Sequence, residues 1–232
     1  MRTLRTSSDR GHAKHGWLES YHTFSFSDYF DPAHMGFRSL RVINEDVVAP
    51  GTGFGMHGHR DMEIITYVLE GELQHEDSLG HKQVLRPGEL QRMTAGSGIR
   101  HSEVNPSRQT LVHLYQIWIK PDTQNLTPEY DQQTLTPADR AQKWQLVASP
   151  KGELGLMHIH QDARLWLSTL DAGTSLNKAI EPARHYWLQV LRGTVTVDGQ
   201  TLSAGDALAF QNESELNVTA STASELLLFD LA

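Results

Sequence analysis

Tyr67-Val68-Leu69-Glu70-Gly71 leads into a polar segment with a turn at Gly80, and then into Val84-Leu85-Arg86-Pro87-Gly88-Glu89. About 120 residues further on the same plan returns as Gln189-Val190-Leu191-Arg192-Gly193, Thr194-Val195-Thr196-Val197, a turn at Asp198-Gly199, and Leu202-Ser203-Ala204-Gly205-Asp206. Earlier in each half, Gly36-Phe37-Arg38-Ser39-Leu40-Arg41-Val42 can be laid beside Gly155-Leu156-Met157-His158-Ile159-His160. Short apolar or alternating segments closed by Gly, Pro, Asp and Asn turns read as strands, and many of them at close spacing build barrels or sandwiches. A unit that recurs at a fixed period is one architecture used twice. The sequence therefore predicts an all-β chain of two antiparallel barrels.

Between the halves, Lys120 to Lys143 carries Pro121, Pro128 and Pro137 among polar residues, a composition that disfavours a long strand or helix. The predicted division is a first barrel over residues 1–125, a linker over 126–143 and a second barrel over 144–232. Thr136-Pro137-Ala138-Asp139 suits a short helix start, with threonine at the cap and proline in the first turn.

Composition narrows the chemistry. Hydrophobic residues at 38% and charged residues at 21% are ordinary globular proportions. The net charge of −8 is spread along the chain, with no basic run to follow a phosphate backbone, so direct nucleic-acid binding is not expected. Residues 1–10 lack the apolar core of a secretion signal and no apolar run approaches membrane-spanning length, which predicts a cytoplasmic protein without membrane contact. With no cysteine, disulfides, thiol nucleophiles and thiolate metal sites are excluded. Thirteen histidines remain, so any bound metal is held by nitrogen and oxygen.

His57-Gly58-His59 supplies two imidazoles at i and i+2, which a strand turns to the same face. His101-Ser102-Glu103 repeats that spacing with an imidazole and a carboxylate. Two such strands facing each other across a barrel converge four N/O donors on one point. A lone His-x-His is weak evidence; two paired motifs in this order are much stronger. Gly51, His57, His59 and Glu63 stand at the intervals of the first motif of the cupin superfamily, with Gly71 one residue late. Gly98, His101 and Asn105 represent the second motif, although Gly96 replaces the usual proline. In ordinary cupins the acidic ligand comes from the first motif, here Glu63.

Longer stretches sharpen the resemblance. Asp9-Arg10-Gly11-His12-Ala13, Gly16-Trp17-Leu18, His22-Thr23-Phe24-Ser25-Phe26, Met35-Gly36-Phe37, Leu40-Arg41-Val42-Ile43-Asn44, Asp77-Ser78-x-Gly80 and Gly98-Ile99-Arg100-His101-Ser102-Glu103 resemble the pirin family. The match runs through almost all of the first half and more loosely through the second, at His160-Gln161-Asp162 and Leu227-Leu228-Phe229-Asp230-Leu231. The resemblance implies a bicupin whose first barrel carries one divalent metal, usually Fe(II), on three histidines and a glutamate. Those ligands fall on His57, His59, His101 and Glu103, which leaves Glu63 to a supporting role, such as orienting a histidine. Nickel, manganese, cobalt, copper and zinc suit the same donors.

The family also implies an activity: a quercetin 2,3-dioxygenase, which opens a flavonol ring with O2 and releases carbon monoxide. Its partners would be a small flavonol-like aromatic and O2, with Glu103 accepting the substrate's hydroxyl proton. The alternative the family implies is regulation, in which the metal's redox state alters docking to a protein partner. His158 and His160 share the ligand spacing but lack a downstream His-x-Glu, so a structural role is expected. Counting back from Gly193 places Ala179 and Glu181 where His57 and His59 stand; counting forward from Gly205 places Val218 and Ala220 where His101 and Glu103 stand. The second barrel is expected to carry no metal. Phe24, Phe26 and Met56 are candidates either for an apolar pocket mouth or for ordinary core packing, and His22 either approaches the metal pocket or serves packing and hydrogen bonding.

Overall fold

The computed structural model describes residues 2–152 and 156–232, so Gly155 of the expected repeat lies outside the described residues. The chain forms two compact units, one of Gly11–Leu135 and one of Met1–Arg10 with Thr136–Ala232. Among the described residues the α-helical content is one turn, Pro137–Arg140, with Thr136 at its cap and proline at its start as the sequence indicates. No helix of the described residues is long and apolar enough to cross a membrane.

In chain order the strands begin with β1 (Arg2–Arg5), β2 (Gly11–Lys14), β3 (Leu18–His22), β4 (Leu40–Val48), β5 (Gly53–His59) and β6 (Glu63–Glu70). They continue with β7 (Leu73–Asp77), β8 (Lys82–Leu85), β9 (Glu89–Thr94), β10 (Ile99–Val104), β11 (Val112–Ile119) and β12 (Glu129–Thr134). After the helical turn come β13 (Gln145–Ser149), β14 (Met157–His158), β15 (Ala163–Leu170), β16 (Ser175–Ala179) and β17 (His185–Arg192). The last are β18 (Thr194–Val197), β19 (Gln200–Ser203), β20 (Ala207–Gln211), β21 (Glu215–Ala220) and β22 (Ser224–Leu231).

The unit of Gly11–Leu135 has a seven-stranded sheet in the order β12-β9-β6-β11-β4-β3-β2 and a four-stranded sheet in the order β5-β10-β7-β8. The other unit repeats both, as β1-β20-β17-β22-β15-β13-β14 and β16-β21-β18-β19. The repeated glycines explain part of this symmetry. Gly71 and Gly193 both sit at positive φ, +76° and +79°, and a Cβ there would lie 2.3 Å from the Leu111 carbonyl oxygen and 2.2 Å from that of Ala223. Only glycine fits a left-handed turn at such close approach.

Three expectations change. The residues expected to form a linker, 126–143, include β12, which pairs with β9 and caps the first unit's sheet. Residues 2–5, expected in the first barrel, pair instead with β20 of the second unit, Arg2 opposite Phe210. Both are short polar edge strands, and polar edges that resist further pairing are how sheets commonly end. The third change concerns the repeat. β15, not the segment around His158, occupies the sheet position that β4 holds in the first unit.

The two barrels differ in what fills them. β21 alternates exposed and buried residues, with Leu216, Val218 and Ala220 inward. Its counterpart β10 has the same alternation, but His101 and Glu103 take the buried places. The second barrel closes on an apolar cluster including Leu188, Val195, Val197, Leu208 and Val218. In the first, apolar residues such as Val68, Leu73, Leu85 and Leu114 pack one part of the interior, while histidines, carboxylates and amides occupy another.

Candidate metal centre

β5 and β10 pair antiparallel with His57 directly opposite His101 and His59 opposite Ile99. The i, i+2 spacing places the rings of His57 and His59 together, 4.8 Å between centroids, and the His101 ring lies 4.5 Å from the first and 4.8 Å from the second. One ligand atom from each of the three falls within 4.8 Å of the other two. Beyond His101 the register shifts, so that Glu103 faces Phe54. Such bulges commonly re-aim side chains beside functional sites.

The hydrogen bonds fix which nitrogens are available. His57 donates Nδ1–H to the Gly55 carbonyl at 2.7 Å, which leaves Nε2 as the lone-pair nitrogen of the neutral ring. That atom sits 3.1 Å from His101 Nε2. Two nitrogens each ~2.1 Å from one ion are roughly 3.0–3.4 Å apart for bond angles between a right angle and the tetrahedral value. The spacing therefore fits adjacent positions on a single metal. Burial, and then the neighbouring histidines, push the His59 imidazolium down to about 4 and that of His101 down to about 3, so both rings are neutral near pH 7. Neutral imidazole is the form that binds a metal.

Glu103 is buried beside this cluster, within 4.8 Å of ligand atoms of His101 and His75. Its carboxylate accepts hydrogen bonds from Gln116 Nε2 at 2.6 Å and Thr66 Oγ1 at 3.3 Å. Glu63 is fully buried on β6, where it accepts a hydrogen bond from Thr94 Oγ1 at 3.1 Å and faces the Arg92 guanidinium at 3.9 Å.

Above the histidines opens a cavity of about 800 Å³, lined by His57, His59 and Glu103 at one end and by Trp17, Phe26, Tyr29, Phe54 and Trp118 along its walls. Ser20, His22, Asn44, Asp46 and Gln116 add polar groups to it. His22 is thus a lining residue, its Nδ1 2.9 Å from Asn44 Oδ1. Of the other mouth candidates Phe26 lines the cavity, Phe24 is buried in the core, and Met56 is exposed. Asp46 is buried and receives the Ser20 hydroxyl. Desolvation, helped by the negative charges of Glu103 and Glu45, pushes its carboxyl up to about 7.

The sequence reading passed over His75, Asp46 and Gln116. His75-Glu76-Asp77 has the same i, i+2 spacing as the two metal motifs, and that was the available signal. His75 is fully buried behind His101, with its Nε2 3.0 Å from Asp77 Oδ2. Burial alone would raise the Asp77 carboxyl, but the rings of His75 and His81 and the backbone N–H groups of His81 and Leu79 hold it below the usual carboxylate range.

The second unit answers differently at the equivalent places. Val218 and Ala220, the counterparts of His101 and Glu103, are buried in its apolar core. β16 pairs with β21 so that Leu176 stands opposite Val218, which makes Leu176 the counterpart of His57 in place of the expected Ala179. The loop 180–184 before β17 is longer than the loop 60–62 before β6, and the count back from Gly193 misses that difference.

Two barrels of this topology in one chain, with histidines and a glutamate gathered inside the first, define a bicupin. Sequence profiles agree: Pirin matches residues 3–119 and Quercetinase C-terminal cupin domain matches residues 146–231. The chain belongs to the pirin family. It is 49% identical over 228 residues to the quercetin 2,3-dioxygenase of Escherichia coli (strain K12), covering 98% of this chain and 97% of that one. It is 40% identical over 223 residues to the pirin-like protein of Caulobacter vibrioides, covering 96% of each. The crystal structure of the bacterial pirin YhhW in complex with nickel(II), from Escherichia coli, superposes with a TM-score of 0.94 at 48% identity, covering 100% of this chain and 99% of that one.

Proposed function

We propose that the protein is a metal-dependent dioxygenase that cleaves flavonols such as quercetin, with one metal held by His57, His59, His101 and Glu103. The observation that carries this reading is the convergence of three imidazoles beside a carboxylate at the end of an aromatic-walled cavity. The resemblance to a chain named quercetin 2,3-dioxygenase supports the substrate class. The nickel(II) complex of the structural relative supports metal binding.

When bound, the metal would supply a Lewis-acidic centre that brings an acidic hydroxyl of the substrate and O2 together. The protein's own residues prepare the rest. Trp17, Phe26, Tyr29, Phe54 and Trp118 offer flat apolar faces to a planar guest, and a cavity of about 800 Å³ lies in the ordinary range for small-molecule sites. Glu103 accepts the hydroxyl proton, and the Gln116 amide that donates to its carboxylate orients it. Ser20, Asn44 and Gln116 are placed to receive the remaining hydroxyl groups of a polyphenol. The overall change joins both atoms of O2 to the flavonol and releases one carbon as carbon monoxide.

The test is aerobic incubation of metal-loaded protein with quercetin, following loss of flavonol absorbance together with carbon monoxide. The expected result is turnover that falls at least a hundredfold in His101→Ala. Turnover equal to that of His101→Ala with iron, nickel, manganese and cobalt each tried would refute the reading.

A further inference from the structure

Behind His101, on the side away from the cavity, lies a buried chain of polar groups. His101 Nδ1 is 3.4 Å from His75 Nδ1, and His75 Nε2 is 3.0 Å from Asp77 Oδ2. The side chains of His75 and Asp77 are both inaccessible to solvent. The directions of the hydrogen bonds from His75 to Gln91 and Asp77 follow from those partners. Gln91 Nε2, which can only donate, lies 3.2 Å from His75 Nδ1, so that nitrogen carries the lone pair. The His75 proton is then on Nε2 and is given to the Asp77 carboxylate. The same lone pair, shared with Gln91, is open to a His101 Nδ1–H at 3.4 Å; in that tautomer the lone pair of His101 is on Nε2, the atom 3.1 Å from His57 Nε2.

The fold does not need these polar groups. In the second barrel, Val218 pairs with Val197 where His101 pairs with Asp77, and Ala220 pairs with Val195 where Glu103 pairs with His75. Leu208 stands on β20 at the place of Gln91 on β9, each three residues beyond its turn glycine, Gly205 or Gly88. Val195, Val197 and Leu208 are all fully buried. One barrel closes with aliphatic side chains at the three positions where the other buries an imidazole, a carboxylate and an amide. Burying polar groups costs free energy even when they are paired. The polar set occurs in the same barrel as the histidine cluster, directly behind one of its members.

We propose that His75 and Asp77 are positioning residues of the metal centre, which lock His101 in the tautomer that aims Nε2 at the metal and so strengthen its hold. This rests on the reading of His57, His59 and His101 as metal ligands. Partners that hold the far nitrogen of a ligating histidine commonly set metal affinity by 10- to 100-fold. Here the carboxylate acts through an intervening imidazole.

The experiment compares Ni(II) affinity, by competition with a chelator, in the parent protein, His75→Val, His75→Gln and Asp77→Asn. Valine is what the second barrel carries at this position, so His75→Val is compatible with the fold. It is expected to weaken Ni(II) binding at least tenfold. Glutamine keeps an acceptor for His101 and a donor for Asp77, so His75→Gln is expected to recover most of the loss, and Asp77→Asn to fall between the two. Nitrogen-15 shifts of the imidazoles in the nickel-free proteins give a second readout: His101 should be the Nδ1–H tautomer in the parent and shift toward Nε2–H in His75→Val. An affinity within twofold of the parent for both His75→Val and Asp77→Asn, or an unchanged tautomer in both, overturns the proposal. Loss in His75→Gln equal to that in His75→Val also overturns it, since a packing role would move both alike. A parent protein that takes up no Ni(II) overturns the ligand reading and this proposal together, and is told apart by the parent alone.

Discussion

Asp46 is a carboxyl group enclosed by protein, with Ser20 donating to it and Glu103 and Glu45 nearby. Burial first, and those negative charges next, raise it from 3.8 to about 7. The folded state thus keeps a proton that the unfolded chain releases at lower pH, and this contribution to stability is fully present below about 3.8 and lost as the pH rises through about 7. Asp46→Asn, which stays neutral throughout, is expected to gain stability relative to the parent by about 2 kcal/mol between pH 5 and pH 8. Urea denaturation of both proteins in chelator at the two pH values measures this. A difference that does not change with pH contradicts it. Asp46 could not be picked out from sequence, because its behaviour comes from Ser20, Glu45 and Glu103, and two of these are distant along the chain. His57, His59, His101 and Glu103 were legible because each pair keeps the two-residue spacing of a strand face. His75 and Asp77 keep the same spacing, yet what gives them interest is the ring of His101, and only the pairing of β7 with β10 brings it there.

At the scale of elements, the repeat was read from turns, and turns are where it is most exact. Gly71 and Gly193 occupy the same conformation against the same kind of neighbour, a carbonyl oxygen of the adjoining strand. Gly193→Ala is expected to lower stability by about 2 kcal/mol or more, from the left-handed backbone and the collision with the Ala223 carbonyl together. Because Gly193 lies in the second unit, metal content per folded chain should stay as in the parent. Thermal unfolding and elemental analysis of the same sample check both halves of the statement, and a neutral substitution would contradict the turn geometry. The strands that escaped the sequence reading are β1 and β12. Glu129-Tyr130-Asp131-Gln132-Gln133-Thr134 has little apolar alternation, since an edge strand with polar side chains draws its hydrogen bonds from one neighbour and leaves few apolar groups to reveal it. Loop length misled the reading elsewhere: Leu176, not Ala179, stands opposite Val218 because the segment before β17 is extended.

At the scale of the whole molecule, one architecture is used twice with different interiors. Counting forward from Gly205 found Val218 and Ala220 because β20 and β21 keep the spacing of β9 and β10. The same sheet positions hold His101 and Glu103 in one barrel and aliphatic residues in the other, so donor chemistry is concentrated in the unit of Gly11–Leu135. The proposed function stands on a single metal held in this unit through the histidine cluster. Elemental analysis of the purified protein, counted per chain and repeated on His101→Ala, tests it most directly. One equivalent of a divalent transition metal is expected in the parent, and its loss in the variant; two equivalents per chain, or a full equivalent retained in His101→Ala, would contradict a single metal on this cluster.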